Sequence, residues 1–162
     1  GTAPRRRIGP RGVAGDASGF HAARIAAGLP EQGFDFGAEE VFPADINMDL
    51  LQGVDFRKGC FVGQEVVSRM KRRGTARRRT LKAAVAQGVA APAPIEANGF
   101  EIGMLTSISG GAGLARVRID RLAEAQAKGE AITANGAAVT FDNPAWLAGK
   151  LAAMAEAKEA KA

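Results

Sequence analysis

The sequence predicts an α+β protein that contains a small antiparallel β-barrel, and three observations lead to this fold class. Residues 18–30 and 62–73 place apolar side chains at helical spacing. From Arg77 onwards the chain changes to short runs of valine, isoleucine, leucine and alanine, which glycine, proline or asparagine separate. Four or more such strands in succession are typical of a small barrel. The alanine-rich residues 144–162 then predict a C-terminal helix.

Composition excludes several classes of protein. The chain has 162 residues, of which 46% are hydrophobic and 24% charged, as in a globular protein of one or two small domains. One cysteine excludes an internal disulfide bond, and no apolar run reaches the roughly 18 residues of a membrane span. The opening GTAPRRRIGP has no apolar segment behind its arginines, so it does not look like a secretory signal. We therefore expect a cytoplasmic protein with no membrane partner.

The first predicted element is a short helix at SGFHAARIAAGLP, residues 18–30, with Ser18 as its N-cap. Gly28 and Pro30 end this helix. Its apolar stripe consists of Ala22, Ile25, Ala26 and Leu29. Residues 34–51 show no sustained period and are rich in turn-forming residues, so we expect an ordered loop there.

The second predicted helix runs along GQEVVSRMKRRG and ends at Gly74. Its apolar face consists of Val62, Val66, Val67 and Met70. The single cysteine of the chain, Cys60, therefore lies just before a helix N-terminus.

Cys60 lies among residue types that stabilise a thiolate. Nearby cations and a helix N-terminus favour the charged form of a thiol, which is the form that attacks electrophiles and binds metals. Arg57 and Lys58 precede Cys60 in the chain. The other residues of this motif loop are Gly59, Gly63, Gln64 and Glu65. The glycines allow unusual backbone conformations, and the polar pair supplies a donor and an acceptor. The residues alone leave a second interpretation open, namely a cysteine packed in the core.

KGCFVGQE resembles the signature K-G-C-[YF]-x-G-Q-E of the YgfZ/GcvT-like folate-binding family, and its surroundings match as well. HAARIAAGLP is similar to the family helix Y-x-x-R-I-x-x-G-x-P, with His21 in the aromatic position. FPADINMDLLQGVDF leads into the motif in the order that the family shows. NGFEIGMLTSISGGAGLARVR resembles the barrel that the family shares with the glycine-cleavage aminomethyltransferase. The resemblance covers residues 8–145.

The resemblance implies a division into three parts. Residues 1–75 are expected to be the C-terminal part of a ferredoxin-like folate-binding domain, residues 76–145 a small β-barrel domain, and residues 146–162 a helical tail. Tetrahydrofolate or a folate derivative is the implied cofactor. The implied folate-binding residues are Arg24, Asp45 and Asn47.

The resemblance also implies a function. Family members support the assembly or repair of iron–sulfur clusters, and through cluster-dependent enzymes they affect tRNA modification. Cys60 is then the catalytic thiol and Lys58 the residue that tunes it, with folate and iron–sulfur assembly proteins as partners. The sequence does not decide whether the chain is an enzyme, and a tetrahydrofolate-dependent aminomethyltransferase is an alternative that the K-G-C motif disfavours.

Family members are about twice as long as this chain, and their N-terminal half supplies much of the folate pocket. We therefore expect the chain to be a fragment, or one part of a split protein whose missing N-terminal half is a partner.

A run of positive charge follows the motif. The chain has a net charge of +5, and residues 71–79 alone carry six cations and no anion, so the remainder is close to neutral. This basic patch consists of Lys71, Arg72, Arg73, Arg77, Arg78 and Arg79. It indicates an acidic or polyanionic partner, and a non-catalytic RNA-binding module is the alternative function. The other interpretation of this run is a solvated hairpin that has no binding role. No histidine or cysteine cluster is present, so we expect no metal site.

Overall fold

Six antiparallel strands form a closed barrel in the second half of the described chain. A computed structural model describes residues 16–60, 62–73 and 76–149, and the side chains of residues 72 and 73 lie outside this description. The barrel strands are β1 (Arg78–Val85), β2 (Ala93–Ala97), β3 (Phe100–Ser109), β4 (Ala112–Arg118), β5 (Ile132–Ala134) and β6 (Ala137–Phe141). The helices are α1 (Ser18–Ala26), α2 (Gln64–Arg73) and α3 (Ile119–Ala127).

The order of strands around the barrel is β1-β4-β3-β2-β5-β6. Tight turns join three of the neighbouring pairs, and each turn contains residues with positive φ. These turns are Asn98-Gly99, Gly110-Gly111 and Asn135-Gly136. Asparagine and glycine adopt this conformation at low cost, which is why such dipeptides end one strand and start the next. β1 closes the barrel because it pairs with β4 on one side and β6 on the other.

The core of the barrel contains small and branched apolar side chains. Ile95, Leu105 and Val117 are fully buried, and Leu122 of α3 and Leu147 complete the same cluster. Space is tight where Gly103 of β3 lies opposite Val117 of β4, because a Cβ added to Gly103 would lie 2.5 Å from the Arg116 carbonyl oxygen.

The residues before the barrel contain α1, a long segment of turns and α2. α1 packs on β3 and β4, with Ile25 buried against the barrel side. The long segment, described over residues 27–60 and 62–63, contains turns and one isolated bridge between Gln32 and Phe36. None of the helices in the described residues is both long and apolar enough to cross a membrane.

The predicted α+β class with a small antiparallel barrel is confirmed. Residues 145–149 are helical, and the rest of the predicted tail lies outside the described residues. The predicted domain boundaries stay predictions. Ser18 as N-cap is wrong: Ala17 occupies that position, and the side chain of Asp16 accepts the Ser18 amide at 2.9 Å. Two elements were missed, α3 and β2.

Candidate functional site

Cys60 lies in an exposed loop that ends where α2 begins. Its side chain is exposed, and so are those of Arg57 and Lys58 before it. The loop is fixed in part by Asp55, whose carboxylate accepts the amide of Arg57 at 2.8 Å. The alternative of a cysteine packed in the core is therefore wrong, and the thiol is open to solvent and to a partner.

The two glycines of the motif loop differ in their backbone conformation. Gly63 has a φ of +83°, which strains any other residue, and it directly precedes α2. Gly59 does not have such a conformation, and an added Cβ would meet nothing within 4 Å. Gln64 and Glu65 form the first turn of α2, where the Glu65 carboxylate is favourable for the positive end of the helix dipole. Gly63 therefore has a conformational role that Gly59 does not share.

Arg24 is buried and held by the protein itself. Its side chain is 3% exposed and forms an ion pair with Asp35. Its Nη2 donates to Ser107 Oγ at 3.1 Å, and its Nε donates to His21 Nδ1 at 3.0 Å. The Nε also lies 3.2 Å from Glu31 Oε2. The guanidinium predicted to bind a folate carboxylate is therefore already surrounded by partners.

Asp35 stays charged in this cluster. Burial raises the pKa of its carboxyl, but hydrogen bonds from Ser107, Thr106 and the Glu31 amide, with the charge of Arg24, outweigh burial. The net effect holds the pKa of Asp35 below its ordinary value of 3.8. Thr106 Oγ1 donates to the second carboxylate oxygen at 2.6 Å. The cluster thereby fastens α1 and the following loop to β3.

Asp45 and Asn47 meet at one residue of β1. Thr80 Oγ1 donates to the Asp45 carbonyl oxygen at 2.9 Å, and Asn47 Nδ2 donates to the Thr80 carbonyl oxygen at 2.5 Å. The carboxylate of Asp45 accepts the Phe42 amide at 3.1 Å. Both side chains are buried. The structure thus brings these two predicted folate residues together, while Arg24 belongs to the separate cluster with Asp35.

Asn47 has an unused acceptor beside a cavity. Its Oδ1 is buried and has no hydrogen-bond partner within the described residues. Asn47 lines a cavity of about 540 Å³, together with Leu50, Leu51, Lys82 and Trp146. Buried polar atoms are normally paired, so the unpaired oxygen is a candidate contact for a ligand that carries a hydrogen-bond donor.

Arg79 differs from the rest of the basic patch. It is 2% exposed, and its Nη1 and Nη2 donate to the two Asp49 carboxylate oxygens at 2.5 and 2.9 Å. Nη1 also donates to the Ala44 carbonyl oxygen at 2.8 Å. Lys71, Arg77 and Arg78 are exposed. Arg79 therefore fastens the loop to β1 and adds no free charge to the surface.

The acidic partners of the two buried arginines were not found from the sequence. Asp35 lies eleven positions from Arg24, and Asp49 lies thirty positions from Arg79. The only sequence signal for a buried carboxylate was weak: each aspartate lies between two apolar residues, in FDF and MDL. Among the described residues, no group of three or more His, Cys, Asp or Glu side chains could hold a metal ion.

Residues 77–149 match the family model for the C-terminal β-barrel domain of CAF17. The barrel is therefore similar to that domain, over somewhat less than half of the chain. The resemblance to the YgfZ/GcvT-like folate-binding family, predicted from the K-G-C motif, is thereby confirmed. The matched residues contain β1 to β6 and α3, and the motif loop and α2 precede them in the chain.

The chain is also similar to curated iron–sulfur cluster assembly factors. It is 42% identical over 75 residues to the mitochondrial iron-sulfur cluster assembly factor IBA57 homolog of Neurospora crassa, which is 46% of this chain and 17% of that protein. It is 32% identical over 100 residues to the mitochondrial IBA57 of Mus musculus, which is 62% of this chain and 26% of that protein. The matched part is thus about a quarter or less of each relative. The predicted cytoplasmic location is wrong by this comparison, because these relatives are mitochondrial.

Proposed function

We propose that this chain acts in the assembly or repair of iron–sulfur clusters, with Cys60 as the acting thiol. The observation that carries the proposal is the exposed Cys60 in a K-G-C loop, directly before a CAF17-type barrel. Relatives that match a part of this chain are named iron–sulfur cluster assembly factors. Cluster-dependent enzymes, including those that modify tRNA, would then depend on this protein.

Cys60 lies near two cations and near the start of a helix in the chain. The exposed cations Arg57 and Lys58 precede it, and the N-terminus of α2 follows four residues later. A thiol attacks electrophiles or bonds to iron as its thiolate, and the exposed position of Cys60 leaves its sulfur within reach of either. Iron–sulfur clusters usually take four cysteine ligands, and this chain contains one cysteine. A cluster that touched Cys60 would therefore need its other ligands from a partner.

We propose that the folate-related part of the site is centred on Asn47 rather than on Arg24. The ring system of a folate carries hydrogen-bond donors and broad apolar faces. The unpaired Asn47 Oδ1 fits a donor, and Leu50, Leu51 and Trp146 fit an apolar face. A cavity of about 540 Å³ lies in the usual range for a small-molecule site. Arg24 is less suited, since Asp35, Ser107 and His21 already occupy its guanidinium.

The test of the proposed function is a Cys60→Ser variant of the full-length protein, expressed from its own locus. We expect the strain to lose most of its aconitase-type [4Fe–4S] dehydratase activity and its cluster-dependent tRNA thiolation. Both activities depend on the supply of iron–sulfur clusters. They can therefore be measured without knowing which reaction, if any, this protein catalyses.

Two controls make this test specific to the position of the thiol. Thr140 is exposed on β6 of the barrel, so Thr140→Ser should leave both readouts unchanged. The double variant Cys60→Ser/Thr140→Cys restores the thiol count at another place, and it should remain defective. Normal cluster-enzyme activity in the Cys60→Ser strain would refute the proposal.

A further inference from the structure

Three segments on either side of Cys60 in the chain converge on one cavity of about 210 Å³. Phe56 from the motif loop, Val67 from α2 and Ala76 from the entry to β1 all line it. The Nζ of Lys71 lies 3.5 Å from the centroid of the Phe56 ring, which joins α2 to the loop directly. The charged residues of the three segments therefore belong to one region of the surface.

This region is strongly basic. The exposed cations of the three segments, hereafter the basic surface, are Arg57, Lys58, Arg69, Lys71, Arg77 and Arg78. Among their described residues the exposed carboxylates are Asp55 and Glu65. Six cations against two anions leave a local positive potential, which attracts a negatively charged partner and speeds its association.

The same region exposes apolar side chains that the fold does not use. Val67 and Met70 of α2 face the cavity. Val66 turns away from it and is 48% exposed, and Val62, just before the helix, is fully exposed. Two exposed valines therefore flank the start of α2, between Cys60 and the cations of the helix.

We propose that the basic surface together with Val62 and Val66 is a docking surface for an acidic partner protein. Protein interfaces combine an apolar centre with a charged rim, and this region has both. An RNA partner fits less well, because single-stranded RNA binds through stacking on exposed aromatic rings. Phe56, the aromatic side chain described in these segments, is half-buried and covered by Lys71. The inference deepens the proposed function. It rests on that proposal in one respect, namely that the partner is an iron–sulfur assembly protein.

The direct test uses a fluorescein-labelled amphipathic helical peptide, with a leucine stripe bordered by glutamates, and the full-length protein. Fluorescence anisotropy should show binding that weakens about tenfold between about 0.1 M and about 1 M salt, where the Debye length falls from about 10 Å to about 3 Å. Val62→Ser/Val66→Ser should weaken binding about tenfold through lost apolar contact. Arg69→Gln/Arg77→Gln/Arg78→Gln should flatten the salt dependence.

Matched controls lie on the barrel. Phe100 is 68% exposed on β3, so Phe100→Ser removes an exposed apolar side chain elsewhere and should not change peptide binding. Arg121→Gln of α3 removes an exposed cation elsewhere and should have no effect either. Melting temperatures should stay near that of the wild type, since all these side chains are exposed. Absence of peptide binding at low salt would overturn the inference. It would also be overturned if a uridine oligonucleotide bound more tightly than the peptide and the valine substitutions left its affinity unchanged.

The Cys60→Ser variant separates this inference from the proposed function. It should bind the peptide as the wild type does, because the thiol is not part of the rim or of the apolar centre. If peptide binding holds while the Cys60→Ser strain keeps its cluster enzymes active, the docking surface stands and the proposed function fails. If the strain is defective but peptide binding is absent, the proposed function stands and the docking surface fails.

Discussion

Two buried arginines fasten the residues before the barrel onto the barrel wall. Arg24 of α1 pairs with Asp35 and reaches Ser107 of β3, and Arg79 of β1 pairs with Asp49. A buried charge that loses its partner is costly, because no water replaces the lost interaction. Each ion pair therefore holds a segment before the barrel against the barrel, and we call such a pair a structural lock. The charges in it are unavailable to a ligand.

The Arg79 lock makes a prediction for stability. Asp49→Asn leaves a guanidinium that is 2% exposed without its counter-charge, so the free energy of unfolding should fall by about 3 kcal/mol. Asp142→Asn is the control, since the Lys82–Asp142 pair is exposed at both ends and should contribute under about 1 kcal/mol. Urea denaturation followed by circular dichroism measures both. Equal losses in the two variants would contradict the assignment of Arg79 as a lock.

The Asp35 cluster makes a prediction for pH. The pKa of Asp35 is lower in the folded protein than its ordinary value of 3.8, so the folded state gains stability from its charge above that pH. This contribution disappears as the pH falls through the folded pKa. Thr106→Val removes one donor to the carboxylate, so it should lower stability at neutral pH and have less effect in acid. Unfolding midpoints measured from neutral to acidic pH would show this difference. If Thr106→Val lowered stability by the same amount at every pH, the effect would come from packing alone.

The same residues show what the sequence could predict of the site. The K-G-C loop was predictable because its residues are contiguous, and its exposure follows from glycines and cations beside a helix start. The roles of Arg24 and Arg79 were not predictable, since their carboxylate partners are distant in the chain and an arginine looks alike whether it is solvated or paired. The unpaired Asn47 Oδ1 depends on the path of the loop across β1, which no local pattern encodes.

At the scale of elements, the tight turns set which strands pair, and the close pairing of β3 with β4 at Gly103 limits the side chains that fit there. The hairpins were predictable from their glycines and asparagines. β2 was missed because APIEA is short and contains Pro94, which is atypical of a strand. α3 was missed because GLARVRID continues a strand pattern into Ile119, where the helix begins.

A substitution at Gly103 tests this close pairing of β3 with β4. A Cβ there would lie 2.5 Å from the Arg116 carbonyl oxygen and 2.7 Å from Val117 Cα, so Gly103→Ala should cost about 3 kcal/mol or prevent folding. Gly19→Ala is the matched control, because it lies in α1 and its new Cβ would meet nothing within 4 Å. That substitution should raise stability by up to about 1 kcal/mol. Differential scanning calorimetry distinguishes the two, and a stable Gly103→Ala protein would mean that the strands can separate there.

At the scale of the whole molecule, the exposed apolar surface is distributed unevenly. Among the described residues, Phe34, Phe42, Leu50 and Leu51 are exposed before the barrel, whereas Phe100 is the large apolar side chain exposed on its strands. The curated relatives extend well beyond the matched region. We propose that a further folate-domain half covers this apolar surface and completes the cavity beside Asn47.

The chain alone should therefore bind tetrahydrofolate weakly, and the full-length protein should bind it much more tightly. If the proposed second half completes the pocket, its contacts are absent from the chain alone, and each lost tenfold in affinity corresponds to about 1.4 kcal/mol. Isothermal titration calorimetry of both proteins measures the difference. An Asn47→Ala variant of the full-length protein should also bind less tightly. Equal, tight binding by the short and the long protein would exclude a second half of the pocket.

Closure of the barrel also governs how the chain folds as it is synthesised. Among the barrel strands, β1 is the first to leave the ribosome, yet its neighbours are β4 and β6, the fourth and sixth strands of the barrel. At about 5–20 residues per second, β1 waits for seconds with both edges unpaired. Unpaired strands attract other chains unless charges interrupt them. Arg78, Arg79 and Lys82 are charges of this kind, so we expect the cations of β1 to limit the aggregation of the newly made strand until its neighbours have formed.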